Sequence, residues 1–422
     1  MADNFPPTSQ ERHRQRSGAG TTNASAGSKE ERRTASTCPT RAFGEQRTNA
    51  PAAHPEQTRG QELKGKSTDA PFRRLPAQRP AGGRQAYAAI DLGTNNCRLL
   101  IARPSGEHFV VIDAFSRIVR LGEGLSHTGR LSPEAMDRTV SALQVCADKL
   151  RRRNINLARS VATEACRRAA NGAEFIDRVR NETDIALDII SSQEEARLAV
   201  LGCHVLLERG EGPAMIFDIG GGSTELVLIE TGPVVPRILD WQSVPWGVVS
   251  LNETFPMKGG DSAGERRARY TRMRAAVHRS FAGFSERLAP VRSMVVTGGS
   301  PRLLGTSGTV TTLASLHLQL PQYNRRAVDG LIVPAAAMRA IATMLSSSSP
   351  QERERLPCIG RDRSELVVAG CAILETILDL WPAERLGVAD RGIREGILRG
   401  LMAGVHGTAE DTAAMQPVPR PL

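Results

Sequence analysis

Apolar residues are distributed in two regimes along this chain. Residues 1–85 contain no Ile, Val, Tyr or Trp and are dominated by Ser, Thr, Gly, Pro, Gln, Asn and Arg. Such a stretch cannot bury enough surface to offset its ordering entropy and reads as a disordered tail. From Ala86 onward the apolar positions adopt the periods of regular structure. A strand, a polar turn and a second strand (residues 97–103) are followed by a third strand near 109–114. Ser132-Pro133-Glu134 opens a helix that runs to about residue 152, with Ala135, Val140, Leu143, Ala147 and Leu150 on one face. A short strand (158–163), two helices (164–170 and 173–182), a strand (186–191) and a long apolar helix (193–208) complete a first α/β unit.

The pattern then begins again. Predicted helices at 263–288, 310–318, 334–346 and 366–380, strands near 293–297 and 385–388, and a last helix at 392–402 make a second α/β unit. The expected organisation is a tail (1–85), two domains (86–206 and 207–407), each a mixed sheet flanked by helices, and a frayed end (408–422).

The opening of each unit has the same form. Ile90-Asp91-Leu92-Gly93-Thr94-Asn95 and Phe217-Asp218-Ile219-Gly220-Gly221-Gly222-Ser223 both run from an apolar strand through Asp into a Gly-containing polar turn, then resume as a strand. A hairpin tip of this composition suits phosphate: glycines admit backbone N–H groups close to an anion, hydroxyls add donors, and an Asp at the strand end is placed to hold Mg²⁺ through water. The two aspartates are 127 positions apart, about one domain's length. A duplicated unit with two loops facing each other across a cleft follows.

Charge changes this picture little. The chain carries a formal net charge of +10, but residues 1–85 alone hold 15 Lys and Arg against 8 Asp and Glu, leaving about +3 for the rest. The positive charge sits on the tail, with no interleaved aromatic platform, so no specific nucleic-acid-binding fold is indicated. Seven scattered cysteines without a CxxC spacing indicate neither a disulfide framework nor a zinc site, and fit a reducing, cytoplasmic setting. No run reaches the roughly 20 apolar residues of a membrane span, so no membrane association is expected. Gly60-Gln61-Glu62-Leu63-Lys64-Gly65-Lys66-Ser67 matches a phosphate-loop spacing, but polar, proline-containing flanks offer neither the buried strand nor the helix that such a loop needs.

With Ser191-Ser192-Gln193-Glu194-Glu195-Ala196-Arg197 between the hairpins, and with Ala162-Thr163-Glu164-Ala165-Cys166-Arg167, Gly305-Thr306-Ser307-Gly308-Thr309 and Ala389-Asp390-Arg391-Gly392-Ile393-Arg394-Glu395-Gly396 in order, residues 86–407 resemble the exopolyphosphatase/guanosine pentaphosphatase family. That family belongs to the sugar-kinase/actin/heat-shock ATPase superfamily. The resemblance implies two duplicated actin-like (ribonuclease H-like) domains in the short, two-domain form. It also implies Mg²⁺-dependent hydrolysis of the terminal phosphate of inorganic polyphosphate or of guanosine pentaphosphate, by a protein for which a homodimer is allowed. Under it, Glu195 is the catalytic base and Asp91, Asp218 and Glu225 organise the metal. Gly93, Thr94 and Asn95 with Gly220, Gly221, Gly222 and Ser223 hold the terminal phosphoryl group. Arg98 and Arg167 neutralise its oxygens, and Gly308 and Thr309 contact the chain or leaving group. Glu365 stands where many members have Asp.

Each assignment has a plainer counterpart. Ser192-x-x-Glu195 also fits a capping box, in which Glu195 only satisfies the helix start. Arg167 and Arg168 also fit a solvated helix face, Glu225 a cross-strand surface charge, and Cys97 and Cys203 small core residues. Three readings stay open: exopolyphosphatase, guanosine pentaphosphate phosphohydrolase, and a non-catalytic regulator that senses polyphosphate or nucleotide. The superfamily's ATP-dependent phosphotransfer is disfavoured by Glu195, since a kinase must exclude the water that such a base activates.

Overall fold

The first hairpin forms as its residues dictate. β1 (Tyr87–Leu92) is buried along nearly its whole length, which marks a strand covered on both faces. Its alternate side chains serve different cores: Ala88, Ile90 and Leu92 join one cluster, Tyr87 and Ala89 another. The computed structural model describes residues 85–406, apart from 107, 154, 156, 233, 234, 259, 299 and 300, with backbone alone at 295–298 and 404–406. The expected tails and the Gly60–Ser67 segment lie outside the described residues.

β1 pairs antiparallel with β2 (Asn96–Ser105), which pairs antiparallel with β3 (His108–Ile118). A short helix α1 (Leu125–Thr128) and the long α2 (Pro133–Arg153) lead to β4 (Leu157–Ala162), parallel to β1. Then come α3 (Glu164–Arg168), α4 (Gly172–Thr183), β5 (Leu187–Ile189), parallel to β4, and α5 (Ser192–Cys203). The sheet order is β3-β2-β1-β4-β5.

The second lobe repeats this plan. β6 (Pro213–Ile219), β7 (Thr224–Glu230) and β8 (Arg237–Val244) form an antiparallel meander. After α6 (Val248–Thr254) and α7 (Ala263–Gly298), β9 (Arg302–Thr306) pairs parallel with β6. α8 (Gly308–His317), α9 (Arg325–Val328), β10 (Ile332–Pro334), α10 (Ala335–Ser347), α11 (Pro350–Glu354) and α12 (Leu366–Leu380) follow, then β11 (Arg385–Ala389), parallel to β9, and α13 (Ile393–His406). The order β10-β11-β9-β6-β7-β8 contains the first sheet's order, with β10 added at the edge. The duplication expected from the two hairpins is therefore a property of both sheets.

One element differs in kind from expectation. Residues 293–297, predicted as a strand, continue α7, and the strand is Arg302–Thr306. Strand preference reflects the chance to pack on a sheet, and Met294 on this part of α7 is 64% exposed. All five residues of β9 are buried, and a Cβ on Gly305 would overlap the Phe217 ring. β8, β10, α6, α9 and α11 are further elements that sequence patterning did not separate.

α5 lies between the two sheets. Leu198 and Ala199 pack with Tyr87, Leu100 and Ile397, whereas Ala196, Val200 and Cys203 pack with Ile216 and Val227. The expected 206/207 domain boundary falls at the end of a short turn of 3₁₀ helix (His204–Leu206). The chain nevertheless returns to the first lobe at its end, where Ile397, Leu398 and Met402 of α13 share a core with Tyr87 and Leu100. α5 and α13 cross backbone to backbone. A Cβ on Gly202 would overlap the Gly392 carbonyl, and one on Gly396 would overlap the Leu198 carbonyl. Gly396→Ala should therefore lower stability by roughly 1–3 kcal/mol, as overpacking does, read as a lower denaturant midpoint. It should also reduce turnover, because α5 carries Glu195.

Candidate active site

The two hairpin tips close in the same way: Gly93 N–H donates to Asn96 O and Gly220 N–H to Ser223 O, both at 2.9 Å. Register places Asp91 opposite Arg98 and Asp218 opposite Glu225. The tips then meet across the lobes. A Cβ on Gly221 would press on Thr94, one on Gly222 would overlap the Glu164 carboxylate, and one on Gly247 would overlap the Gly221 backbone. These glycines are required by close approach, since none has a left-handed φ.

A cavity of about 140 Å³ lies between the tips. Asp91, Gly93, Thr94, Asn95, Arg98, Glu195, Asp218, Gly220, Gly221, Gly222, Ser223, Gly308 and Thr309, all singled out in the sequence, line it together. Gly308 and Thr309 start α8, whose cap is Ser307, accepting from Val310 N–H at 3.1 Å.

Three expected residues sit elsewhere or differently. Arg167 does not line the cavity; it donates to Glu195 Oε2 at 3.1 Å and to Ile190 O at 2.7 Å. Glu225 is also behind the lining, 1% exposed, and accepts from Ser223 Oγ (2.7 Å) and Ser243 Oγ (2.9 Å). It is not a surface charge. Glu365 is exposed and lines neither this cavity nor its extension, while its neighbours Arg363 and Leu366 do.

The capping-box reading of Glu195 does not hold. The cap of α5 is Ser191, whose side chain accepts from Glu194 N–H, and Glu194 is tied to Arg197 and Arg159. Glu195 is left facing the cavity, 7% exposed. Cys97 and Cys203 are fully buried core residues, as their plain reading had it.

Sequence reasoning missed Glu164. It is 5% exposed, accepts from Thr94 Oγ1 at 3.2 Å and pairs with Arg168 at 3.0 Å. Its signal was its place in the Thr163-Glu164-Ala165-Cys166-Arg167 stretch. Arg363, donating to Thr312 Oγ1 at 3.3 Å, carried no signal, because a turn of 3₁₀ helix (Arg361–Arg363) between α11 and α12 brings it to the cleft. Two contacts tie the lobes beside the cavity: Arg120 with Asp362 at 2.7 Å, and Glu253 accepting from Gly124 N–H and Ser126 Oγ.

Burial and mutual repulsion raise the carboxylates of this cleft. Asp218 is pushed up to about 7 by desolvation, with Glu195 and Asp91 adding to it. Glu225 is pushed up to about 7 by desolvation and by Asp218. Glu195 is raised well above the usual range by desolvation, Glu225 and Asp91, with Arg167 opposing. Burial also raises Asp91, against Arg98 and Arg394. Among the described residues no three His, Cys, Asp or Glu side chains converge as a closed metal cage. The donor set nonetheless fits Mg²⁺, which keeps several waters and uses one or two carboxylates plus phosphate oxygens. Asp91 and Asp218, one from each lobe, supply such a pair.

Two lobes of one repeated topology, with facing Asp-Gly hairpins, define an actin-like fold. Comparison with known proteins gives the family: the Ppx/GppA phosphatase family matches residues 100–404, and the chain belongs to it. The chain is 30% identical over 329 residues, 74% of its length and 98% of the relative's, to exopolyphosphatase 2 of Mycobacterium tuberculosis (strain ATCC 25618 / H37Rv). The crystal structure of the Aquifex aeolicus Ppx/GppA family member is similar with a TM-score of 0.63 and 27% identity, covering 77% of this chain and 99% of that one. An exopolyphosphatase from Cytophaga hutchinsonii ATCC 33406 is similar with a TM-score of 0.62 and 25% identity, covering 76% and 98%. The protein is a phosphatase of the hydrolase class. No helix among the described residues is long and apolar enough to cross a membrane.

A raised folded-state carboxylate stabilises the protein fully below its unfolded value, and that contribution is lost as pH rises through the folded value. For Asp218 the window runs from about pH 4 to about pH 7. Metal-free Asp218→Asn should thus be more stable than wild type at pH 8, by roughly 2–4 kcal/mol, and the gain should vanish by pH 4. Denaturant titrations at both pH values check this.

Proposed function

We propose that this protein is an exopolyphosphatase that removes the terminal phosphate of inorganic polyphosphate, using water activated by Glu195 in a Mg²⁺-dependent reaction. The observation that carries the reading is Glu195: a carboxylate almost closed off from solvent, excluded from helix capping, facing a cavity rimmed by two phosphate-type loops. A hydrolase needs a group that orients water and accepts its proton as the P–O bond opens. A sensor does not.

In this reading the terminal phosphoryl group lies between Gly93–Asn95 and Gly220–Ser223, whose backbone N–H groups would donate to its oxygens, apart from those of Gly93 and Gly220, which close the hairpins. Such fixed donors stabilise developing charge without reorganising during the reaction. Glu195 takes the water's proton, and Arg167 holds the carboxylate in place while favouring its charged form. Asp91 and Asp218 would hold Mg²⁺, which supplies charge neutralisation for the phosphate. Phosphoryl transfer leaves the protein little covalent work beyond this positioning.

Phosphate release from long polyphosphate, short polyphosphate and guanosine pentaphosphate, measured in parallel with Mg²⁺, tests the proposal. Release from polyphosphate should fall at least 100-fold in Glu195→Gln while binding persists. Faster release from guanosine pentaphosphate would instead assign the pentaphosphatase activity, and absence of release from all three, with binding intact, would sink the hydrolase reading. Because Arg167 opposes the rise of Glu195, Arg167→Gln should move the acid limb of the kcat–pH profile to higher pH. An unmoved limb would separate Arg167 from the base.

A further inference from the structure

Of the carboxylates that line the reaction cavity, Asp91, Glu164, Glu195 and Asp218, only Glu164 has no part in the proposed chemistry. It stands at the start of α3 and is 5% exposed. A carboxylate in a phosphate cavity works against the anion by simple repulsion, so its own contacts must account for its presence. They do. Oε1 pairs with Arg168, one turn further along α3, at 3.0 Å, and Oε2 accepts from Thr94 Oγ1 at 3.2 Å. That second oxygen also lies against the other lobe, since a Cβ on Gly222 would sit 1.9 Å from it. One oxygen therefore meets both hairpin loops.

Thr94 completes the seam. It is 5% exposed, and its side chain lies where side chains of the facing loop would be: a Cβ on Gly221 would be 2.9 Å from Thr94 Cβ, and one on Gly222 2.8 Å from Thr94 Oγ1. The first loop thus rests on the second through Thr94, with Glu164 beside it. The hydrogen-bond inventory then decides what the Thr94 hydroxyl can do. A hydroxyl has one proton to give. An Arg-paired carboxylate accepts and does not donate, so that proton goes to Glu164. What Oγ1 has left to offer is lone pairs, which a deprotonated phosphate oxygen avoids.

We propose, resting on the hydrolase reading above, that Glu164 is a positioning residue for phosphoryl transfer: through the Thr94 hydroxyl it seats the Gly93–Asn95 loop on the Gly220–Ser223 loop. The Thr94 hydroxyl serves this tie and not the phosphate. Both loops bound the place of the reacting phosphoryl group, whereas the base, Glu195, comes from α5. A shift of one loop against the other moves that group relative to the base, and a misplacement of about 1 Å costs roughly 100-fold in rate. Binding without reaction depends less on this alignment. A carboxylate suits the tie because it has two acceptor oxygens, one for Arg168 and one for Thr94. Gln offers a single acceptor oxygen.

Two measurements on the full chain in Mg²⁺ buffer test the tie: steady-state phosphate release from inorganic tripolyphosphate, and calorimetric binding of orthophosphate. In Thr94→Val and in Glu164→Gln, kcat should fall roughly tenfold or more, with KM and orthophosphate affinity held within about threefold. The double variant should be no slower than the slower single one, because both changes break one tie. Thr94→Ser, which returns the hydroxyl, should recover most of the rate lost in Thr94→Val. A smaller fall in kcat in both single variants, a rise in KM that matches the fall, additive losses in the double variant, or no recovery in Thr94→Ser would each overturn the proposal. So would weaker orthophosphate binding in Thr94→Val, the mark of a hydroxyl that donates to phosphate. The two residues lie on different elements, so a folding defect in one variant leaves the other to decide. If wild type releases no phosphate, the hydrolase reading fails, and orthophosphate binding in Thr94→Val still decides the tie: unchanged affinity keeps it and weakened affinity removes it.

Discussion

Carboxylates crowded into a nearly closed cleft are the constraint on which this structure turns. Asp91, Glu195 and Asp218 face one small cavity with Glu225 just behind, and each is raised by burial, Glu195, Asp218 and Glu225 also by their acidic neighbours. Charge of one sign held in low dielectric is unfavourable unless it is protonated, paired or met by a cation. The fold answers with hydrogen bonds, with pairing and with room for a cation. Ser223 and Ser243 satisfy Glu225, Arg167 pairs with Glu195, and the two aspartates remain open to a divalent ion bound with phosphate. Under the proposed function, a metal ion bound with the polyanion would complete that compensation.

Such a cluster needs two lobes held in fixed relation. α5 is packed between both sheets and crosses α13 through Gly202 and Gly396, so the helix carrying Glu195 has little freedom to shift. Gly221, Gly222 and Gly247 let the facing loops touch, and their missing side chains set the width of the cavity. The cavity they bound is continuous with a second, larger one, with Asp91, Arg98, Asp218 and Arg363 lining both. An anhydride substrate carries negative charge along its length, whereas only its terminal phosphorus must meet a water and a base.

Much of this was legible in the chain. The paired hairpins fixed both strand ends, both aspartates and the duplication, because a short apolar strand ending in Asp-x-Gly has few structural options and its repetition removes most of them. Other features misled. Residues 293–297 have strand preference but continue α7, and Ser192-x-x-Glu195 fits a capping box one residue out of register with the cap that forms. Glu164, Arg363 and Arg394 were not singled out, since no local pattern distinguishes a charged residue that faces a cleft from one that faces water.

The sequence by itself determined what is encoded over short spans: strand and helix periods, the turn chemistry of the two hairpins, the separate character of residues 1–85, and the residue types a phosphate loop needs. Only the tertiary structure decided which charges meet. Contacts such as Glu195 with Arg167, 28 positions apart, or Thr94 with Glu164, 70 apart, depend on how sheets and helices stack. The same stacking turned Glu225 inward and set Arg98 and Arg394 where they oppose the rise of Asp91. Electrostatic environment is a sum over groups distant in sequence, and it exists only once the lobes have closed around the cleft.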